Sequence, residues 1–363
     1  MTSYIIDKKV DQHQNETQFV MRNVDISFAN AIRREILGGN IDVVGILTEP
    51  EELNEVQIFK NTGRMHNEML KHRLSAIPIH IQDYVSMDIS KYKIVLQIKN
   101  YTNHILDVTS KDIKVYDTGT NSYLSENERN TIFPANSLTK DYILLTRLYP
   151  RKNSISDVEE IHLEAPLSLR NASESSVYNT TSTCSYGFVI DPVKQKQAWE
   201  EHKKTLGNVE NIDFEKKNWY VHEGKRYYKE NQYQFKLESV GVYSNDDIVK
   251  KACYSLNQKL DALLQQPFDI KKGNTIEPSY DVIIPNDNYT IGKVIENACY
   301  NLFYKEKAVL SFIGYNKVHP HVDYGIVRMM FHKEEYDENY IQNILPQAIQ
   351  YAKTLFTAIS NQI

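Results

Sequence analysis

The stretch NVDISFANAIRRE (residues 23–35) reads as the opening of an amphipathic helix, and the rest of the chain is understood outward from it. Gln18 to Val24 has strand-like character. Asp25 and Ser27 then offer N-cap oxygens, and Phe28, Ile32 and Ile36 recur at helical spacing until Gly38-Gly39 stops the pattern. Steps of three and four residues return to one side of a helix, so Asn30, Arg33 and Arg34 fall on a face other than the apolar stripe. Guanidinium forks bind carboxylates and carbonyls in pairs, which suits docking on a neighbour. The competing reading is a solvated basic turn balanced by Glu35.

The same opening returns near the other end of the chain. A predicted strand, Tyr280 to Ile284, and a turn, Pro285 to Asn288, lead to Thr290 as N-cap, and Ile291, Val294, Ile295, Ala298, Leu302 and Phe303 follow on one face. Setting Ser27 against Thr290 aligns Phe28 with Ile291 and Ile32 with Ile295, a weak internal repeat that suggests a duplicated or fused dimer. Two longer helices accompany the repeats. One, opened by Ser244 with Asp246 and Asp247 in its first turn, carries Val249, Ala252, Cys253, Leu256, Leu260, Leu263 and Leu264. That stripe is too long for one small sheet to cover, so it needs a partner helix. The last helix, from about Asp337, supplies one with Ile341, Ile344, Leu345, Ala348, Ile349, Ala352, Leu355, Phe356 and Ile359, and Pro346 is expected to bend or open its early turns.

Between these ends, strands are predicted at Val43 to Leu47 and Glu55 to Phe59, with a helix from Asn67 to Arg73. Glu68, His72 and Arg73 lie within about a turn and a half of that helix, where capping and ion pairing outweigh an acid–base pair. Residues 85–220 form short β-rich stretches separated by polar clusters, the pattern of an inserted domain, and the charge-dense Lys194 to Lys217 is expected to contain a solvated helix. Asp269 to Ser279 is the best linker candidate.

The chain has 363 residues with 41% hydrophobic and 25% charged composition, enough for two or three domains with real cores. Its net charge of -5 lacks the basic excess of a protein built around a phosphate backbone, so nucleic-acid contact would be local and secondary. Met1 to Gln12 has no signal-peptide pattern, and no window suits a membrane span, so an intracellular protein without a membrane role is expected. Cys184, Cys253 and Cys299 are too scattered for a disulfide framework or a four-cysteine zinc site and read as reduced, mostly buried thiols. His319, His321 and Asp323 could supply metal ligands to a stand-alone hydrolase, yet a turn between strands accounts for them more simply. No phosphate loop, nucleophile elbow or Asp triplet is present, and no cofactor or metal is expected.

Three blocks resemble the platform subunits of cellular RNA polymerases: the bacterial alpha amino-terminal domain and the third and eleventh subunits of eukaryotic RNA polymerase II. Asn23 to Glu35, Asn61-Thr62 and His66 to Ile79 form the first, similar to the family patterns D-x-S-x-A-N-x-[LI]-R-R and N-T-x-x-x-x-[DE]-E-x-x-x-H-R-L-x-x-I-P. Glu238-Ser-Val-Gly241 with its long helix resembles the third subunit's return to its dimerisation domain. Asp287-Asn-Tyr-Thr-Ile-Gly292, Phe312-Ile-Gly-Tyr315, His319-Pro-His321 and Arg328 resemble the eleventh subunit.

The resemblance implies an α+β fold of two alpha-subunit-like dimerisation units packed through long helices, an intramolecular pseudo-dimer. Residues 1–84 and 221–268 would form the third-subunit-like unit, 85–220 its β-rich insertion, 269–279 the linker and 280–363 the eleventh-subunit-like unit. Phe28, Ile32, Leu256, Leu260, Leu263, Ile291, Ile295, Ile349, Ala352 and Phe356 would line the internal dimer interface. Asn30, Arg33, Arg34, Glu68, His72 and Arg73 would face other subunits. The implied role is a non-catalytic assembly platform of DNA-directed RNA polymerase whose partners are the largest, second-largest and small subunits, with DNA reached only through the complex. Fusion into one chain resembles large DNA viruses, which implies viral transcription in host cytoplasm, viral factories and virions. Lys293 and Glu296 stand where the family usually has Asn and often Arg, so roles at those positions do not carry over to the second repeat. Many third subunits hold a cysteine-bound zinc or iron-sulfur centre in the insertion, whereas only Cys184 lies there in this chain.

Overall fold

Asp25 caps the first helix: its Oδ1 accepts the Ser27 N–H at 2.8 Å. Ser27 is therefore not the cap, and its buried hydroxyl has no hydrogen-bond partner. At the far end, the Gly39 N–H donates to the Glu35 carbonyl, and the backbones approach so closely that a Cβ on Gly39 would strike Glu35. The computed structural model describes residues 2–151, 158–207, 211–273, 278–287, 289–333 and 335–363.

Along the chain, β1 (Ile5–Asp11) and β2 (Glu16–Arg22) precede α1 (Ile26–Gly38) and β3 (Asp42–Gly45). Next come β4 (Gln57–Asn61), α2 (Asn67–Ser75), β5 (Tyr92–Lys99), β6 (Leu106–Thr109), β7 (Lys114–Asp117) and β8 (Ser122–Tyr123). Then α3 (Glu126–Ile132), β9 (Leu144–Leu148), β10 (Glu160–Pro166), β11 (Ser168–Asn171) and β12 (Thr181–Ile190) follow. Helices α4 (Pro192–Thr205) and α5 (Ile212–Val221), strand β13 (Tyr228–Ser239) and helix α6 (Asn245–Leu263) come after them. The last part holds β14 (Asp269–Lys272), β15 (Ser279–Pro285), α7 (Ile291–Cys299), β16 (Leu310–Asn316), β17 (Tyr324–Phe331) and α8 (Glu338–Ser360).

Two antiparallel four-stranded sheets, ordered β1-β2-β13-β12 and β14-β15-β17-β16, contribute to one core together with α1, α6, α7 and α8. Alternate residues point inward, as a pleated strand requires: Phe19 and Met21 on β2, and Tyr280, Val282 and Ile284 on β15. Helix α1 touches α6 and α7, and α8 touches the same two, so the four helices close a ring. Phe28 of α1 and Phe356 of α8 meet inside it with ring centroids 5.2 Å apart. Beyond α7 the apolar face continues through a π-helical turn, Tyr300–Glu306, which buries Phe303.

A second core packs α2 and Ile94, Leu96, Leu145 and Leu163 around the sheet β4-β10-β5-β7-β8. It takes in Val44, Ile46, Val56, Leu70, Leu74, Ile77, Ile79 and Ile81, so the sequence-drawn boundary at 84/85 does not separate the two cores. Strand β12, which sequence reading assigned to the insertion, pairs with β13 in the first sheet. Both differences arise because strand partners are chosen across the fold rather than by neighbourhood in sequence.

Local expectations shift elsewhere too. Lys194 to Lys217 contains a largely exposed helix, α4, and continues into α5, and the two bury Trp199 and Trp219 against each other with ring centroids 5.6 Å apart. Of the stretch expected as a linker, Asp269–Lys272 is strand β14, paired with β15, while residues 274–277 lie outside the described residues. Pro346 lies within α8, which remains helical throughout its length. All three cysteines are buried, and burial pushes the Cys184 and Cys253 thiols up to about 12 and Cys299 upward as well.

Replacing Phe356 with Ala would leave a cavity where the two ends of the chain meet. The expected cost is about 3–5 kcal/mol, read as a lower urea midpoint. A cost below about 1 kcal/mol would show that this contact does not hold the core together.

Candidate subunit interface

Glu35 is part of the helical stripe rather than its solvated counterweight, since it follows Ile32 by three positions and Phe28 by seven. Its side chain is 2% exposed. One oxygen accepts from Ser255 Oγ at 2.6 Å and from the Asn40 N–H at 3.0 Å, while the other accepts from Lys259 Nζ at 2.6 Å. An acid inside an apolar stripe is the one sequence signal that could have foretold this tie between α1 and α6; its partners, more than 200 residues away, could not have been named.

The three residues expected to face outward from α1 are half-buried. Arg33 donates to Asn30 Oδ1 through Nε at 3.1 Å and Nη2 at 2.9 Å, and its charge also reaches Cys184 and Tyr186 on β12. Asn30 and Arg34 open into separate clefts, each walled by residues of the second repeat. Around Arg34, a cleft of about 560 Å³ includes Asn40, Lys259, Pro285 and Thr290. Around Asn30, another of about 560 Å³ includes Tyr186, Tyr289, Lys293 and Tyr300.

Glu68, His72 and Arg73 are exposed on α2, whose core-facing Leu70 and Leu74 belong to the second core. Arg73 does not pair with Glu68; its Nη2 donates to the Leu144 carbonyl at 2.8 Å. His72 borders a smaller cleft of about 260 Å³ with Ile77, Val177 and Val242. Glu68 in the first turn and His72 with Arg73 in the last match the helix dipole. The structure therefore distributes the six residues over two elements rather than gathering them into one site.

Phe28, Ile32, Leu256, Leu260, Ile291, Ile295, Ile349, Ala352 and Phe356 are all buried in the first core, and Leu263 packs partly buried at its edge. In the second repeat, Thr290 does not cap α7. The 4% exposed Asp287 does so, with its carboxylate accepting the N–H groups of Thr290 at 3.3 Å, Ile291 at 2.9 Å and Gly292 at 2.7 Å. The Tyr315 ring wedges between Gly292 and Gly325, where a Cβ on either glycine would collide with it. Burial raises the Tyr315 hydroxyl pKa, and that oxygen accepts the Tyr289 N–H at 3.2 Å. Glu296 accepts the Tyr315 N–H at 3.0 Å and Lys293 Nζ at 2.6 Å, so the two residues that depart from the family pattern pair with each other. Arg328 forks onto Asp281 at 2.6 and 2.7 Å across β17 and β15.

His319 and His321 lie exposed in the loop before β17, and the His321 N–H donates to His319 Nδ1 at 3.1 Å. Among the described residues no three His, Cys, Asp or Glu side chains form a group able to hold a metal ion, so nothing gathers around these histidines to support the hydrolase alternative. Nor, among the described residues, is any helix long and apolar enough to cross a membrane.

Residues 18–260 match the profile of the RNA polymerase Rpb3/Rpb11 dimerisation domain. The chain belongs to that family. The matched span takes in β2, α1, the second core and most of α6. Among similar proteins, the DNA-directed RNA polymerase subunit Rpo3 of Methanosphaera stadtmanae is 26% identical over 68% of this chain and 92% of its own length. A conjugation stage-specific protein of Tetrahymena thermophila is 23% identical over 69% of this chain and 90% of its own. Rpo3 of Pyrococcus furiosus is 35% identical over a shorter stretch, 21% of this chain and 24% of that protein. Within this Rpb3/Rpb11-family fold, the motif residues Asp287, Gly292 and Tyr315 form a clasp that shapes the α7 end.

Gly292→Ala should force the Tyr315 ring out of its slot at a cost of about 1–3 kcal/mol, measured by thermal or urea unfolding. A variant as stable as the parent would mean that the wedge is dispensable. Lys259→Met should also destabilise the protein, because it leaves the Glu35 carboxylate buried without its cation. The double variant Glu35→Gln/Lys259→Met should recover part of the loss, and failure to recover any would separate the two residues energetically.

Proposed function

We propose that this chain is a non-catalytic assembly platform of a multisubunit DNA-directed RNA polymerase, combining third-subunit-like and eleventh-subunit-like halves in one polypeptide. Membership of the Rpb3/Rpb11 family supports the polymerase role. The observation that carries the fused reading is the single core shared by α1 and α6, which precede β14, and α7 and α8, which follow it. The parts of residues 1–268 that build the first core act as one dimerisation unit and residues 280–363 as the other, and the second core acts as the insertion. Pairing is internal, so the purified chain is a monomer of its own mass.

In this reading the α1 face with Asn30, Arg33 and Arg34 docks the second-largest subunit, and α2 with Glu68, His72 and Arg73 extends the contact. Other faces receive the largest subunit and small subunits. Rigid guanidinium forks presented beside Asn30 suit carbonyls and carboxylates on such partners. Nucleotidyl transfer resides in the large subunits, which also contact the DNA template. A viral setting, with the protein in host cytoplasm, viral factories and virions, belongs to the same proposal and rests on the fused arrangement alone.

Affinity purification of the tagged chain from its native cell, followed by mass spectrometry and promoter-independent transcription, tests this reading. Two very large subunits with RNA-synthesising activity are expected, and recovery of the chain alone would overturn it. Arg33→Ala/Arg34→Ala should leave the circular dichroism spectrum unchanged and lower recovery of the second-largest subunit about tenfold or more. Unaltered recovery would remove these arginines from the docking surface.

A further inference from the structure

The second core carries a cleft to which the proposed assembly role assigns no residue. Between β5, β7 and α3 lies a cleft of about 520 Å³ bordered by Lys111, Lys114, Arg129, Tyr123 and Gln97. Lys111, Lys114 and Gln97 are exposed, and Tyr123 presents 53% of its surface to solvent. Neither Lys111 nor Lys114 has a carboxylate within ion-pair distance among the described residues. Their ammonium groups instead lie near aromatic rings, Lys111 at 5.9 Å from the Tyr142 centroid and Lys114 at 5.6 Å from that of Tyr123. Tyr116 stands edge-on to Tyr123 with centroids 5.1 Å apart, which braces the exposed ring.

The acids of the cleft are occupied. Asp112 closes a capping box, accepting the Thr109 N–H at 2.8 Å, and Glu126 accepts from the Arg129 guanidinium at 3.3 Å. Arg129 is 9% exposed and also donates to Asn130 Oδ1 at 2.7 Å, which holds a fixed positive group at the cleft wall. The cleft therefore combines two solvent-facing ammonium groups, one guanidinium paired with Glu126, a side-chain amide and a half-exposed ring with Lys114 beside it. Ammonium groups beside a stackable ring are the elements of single-strand recognition: the ring accepts any base, and the cations follow the phosphates. An acidic peptide would use the cations and leave the ring without a partner.

We propose that this cleft binds single-stranded nucleic acid, with a base stacked on Tyr123 and the adjoining phosphates on Lys111 and Lys114. The site is independent of the α1 docking face and does not rest on the polymerase reading. It also accommodates a chain whose net charge is -5, because the contact is local.

Fluorescence anisotropy of the full purified chain with a fluorescein-labelled oligouridylate, repeated across salt concentrations, tests the proposal. Lys111→Glu/Lys114→Glu should weaken binding about tenfold or more and flatten the salt dependence by roughly 1.4 in log–log slope, at roughly 0.7 per lost phosphate contact. Tyr123→Ala should weaken binding by about tenfold with the slope retained, while Tyr123→Phe should bind like the parent. Unfolding curves matching the parent would establish that each variant folds. The proposal is overturned if the parent fails to bind the oligonucleotide. It is equally overturned if polyglutamate competes as well as unlabelled oligonucleotide, or if the distant charge-matched variant Lys271→Glu/Lys272→Glu weakens binding to the same extent.

Discussion

The fold depends on one constraint: the apolar stripes of α6 and α8 are longer than either four-stranded sheet can cover, so each helix needs the other. Leu256, Leu260, Ile349, Ala352 and Phe356 reach near-zero exposure in the core where α6 and α8 pack together with α1 and α7. Burial of this kind has no direction of its own, and orientation has to be imposed by something more specific. Glu35 supplies part of that orientation. Its carboxylate finds Ser255, Lys259 and the Asn40 N–H together only when α1 and α6 sit in one relative position.

The second repeat solves the same packing problem with different chemistry. Where α1 uses an acid at its end to engage α6, α7 is set at its start by Asp287, which takes three backbone N–H groups, and by the Tyr315 ring lodged between two glycines. Asp287, Gly292 and Tyr315 thus serve geometry: they fix how α7 leaves the turn after β15. The clefts around Asn30 and Arg34 follow from that geometry, since both are walled by residues of α7 or the turn before it.

The second core shows a division of labour within the chain. Its sheet is built from residues on both sides of the boundary suggested by composition, and α2 is bound into it by Leu70 and Leu74. Glu68, His72 and Arg73 are therefore carried by a different body from the one that holds Arg33. Any large partner touching both faces would sense the relative placement of the two cores. The lysine and tyrosine cleft is lined by residues of the second core and of α3, none of them from the four helices of the first core.

What the sequence determined by itself was whatever depends on near neighbours. An α1 start at Asp25 or Ser27, the α6 cap at Ser244 and the stripes of the four main helices were legible, because helical periodicity and capping act within a few residues. Most buried residues named from those stripes were legible for the same reason, but Leu263, Leu302 and Leu355 lie at the margin and Leu264, the C-cap of α6, is exposed. The tertiary structure alone decided that β12 joins β13, that residues 44–81 belong with the second core, that Trp199 packs on Trp219, and that Glu35 meets Lys259. It also decided that Asp287, rather than Thr290, caps α7, and that Arg33 turns back onto Asn30. The physical reason is range: a strand edge or a buried charge is satisfied by whichever group the folded chain brings to it, and sequence spacing says little about partners many residues away.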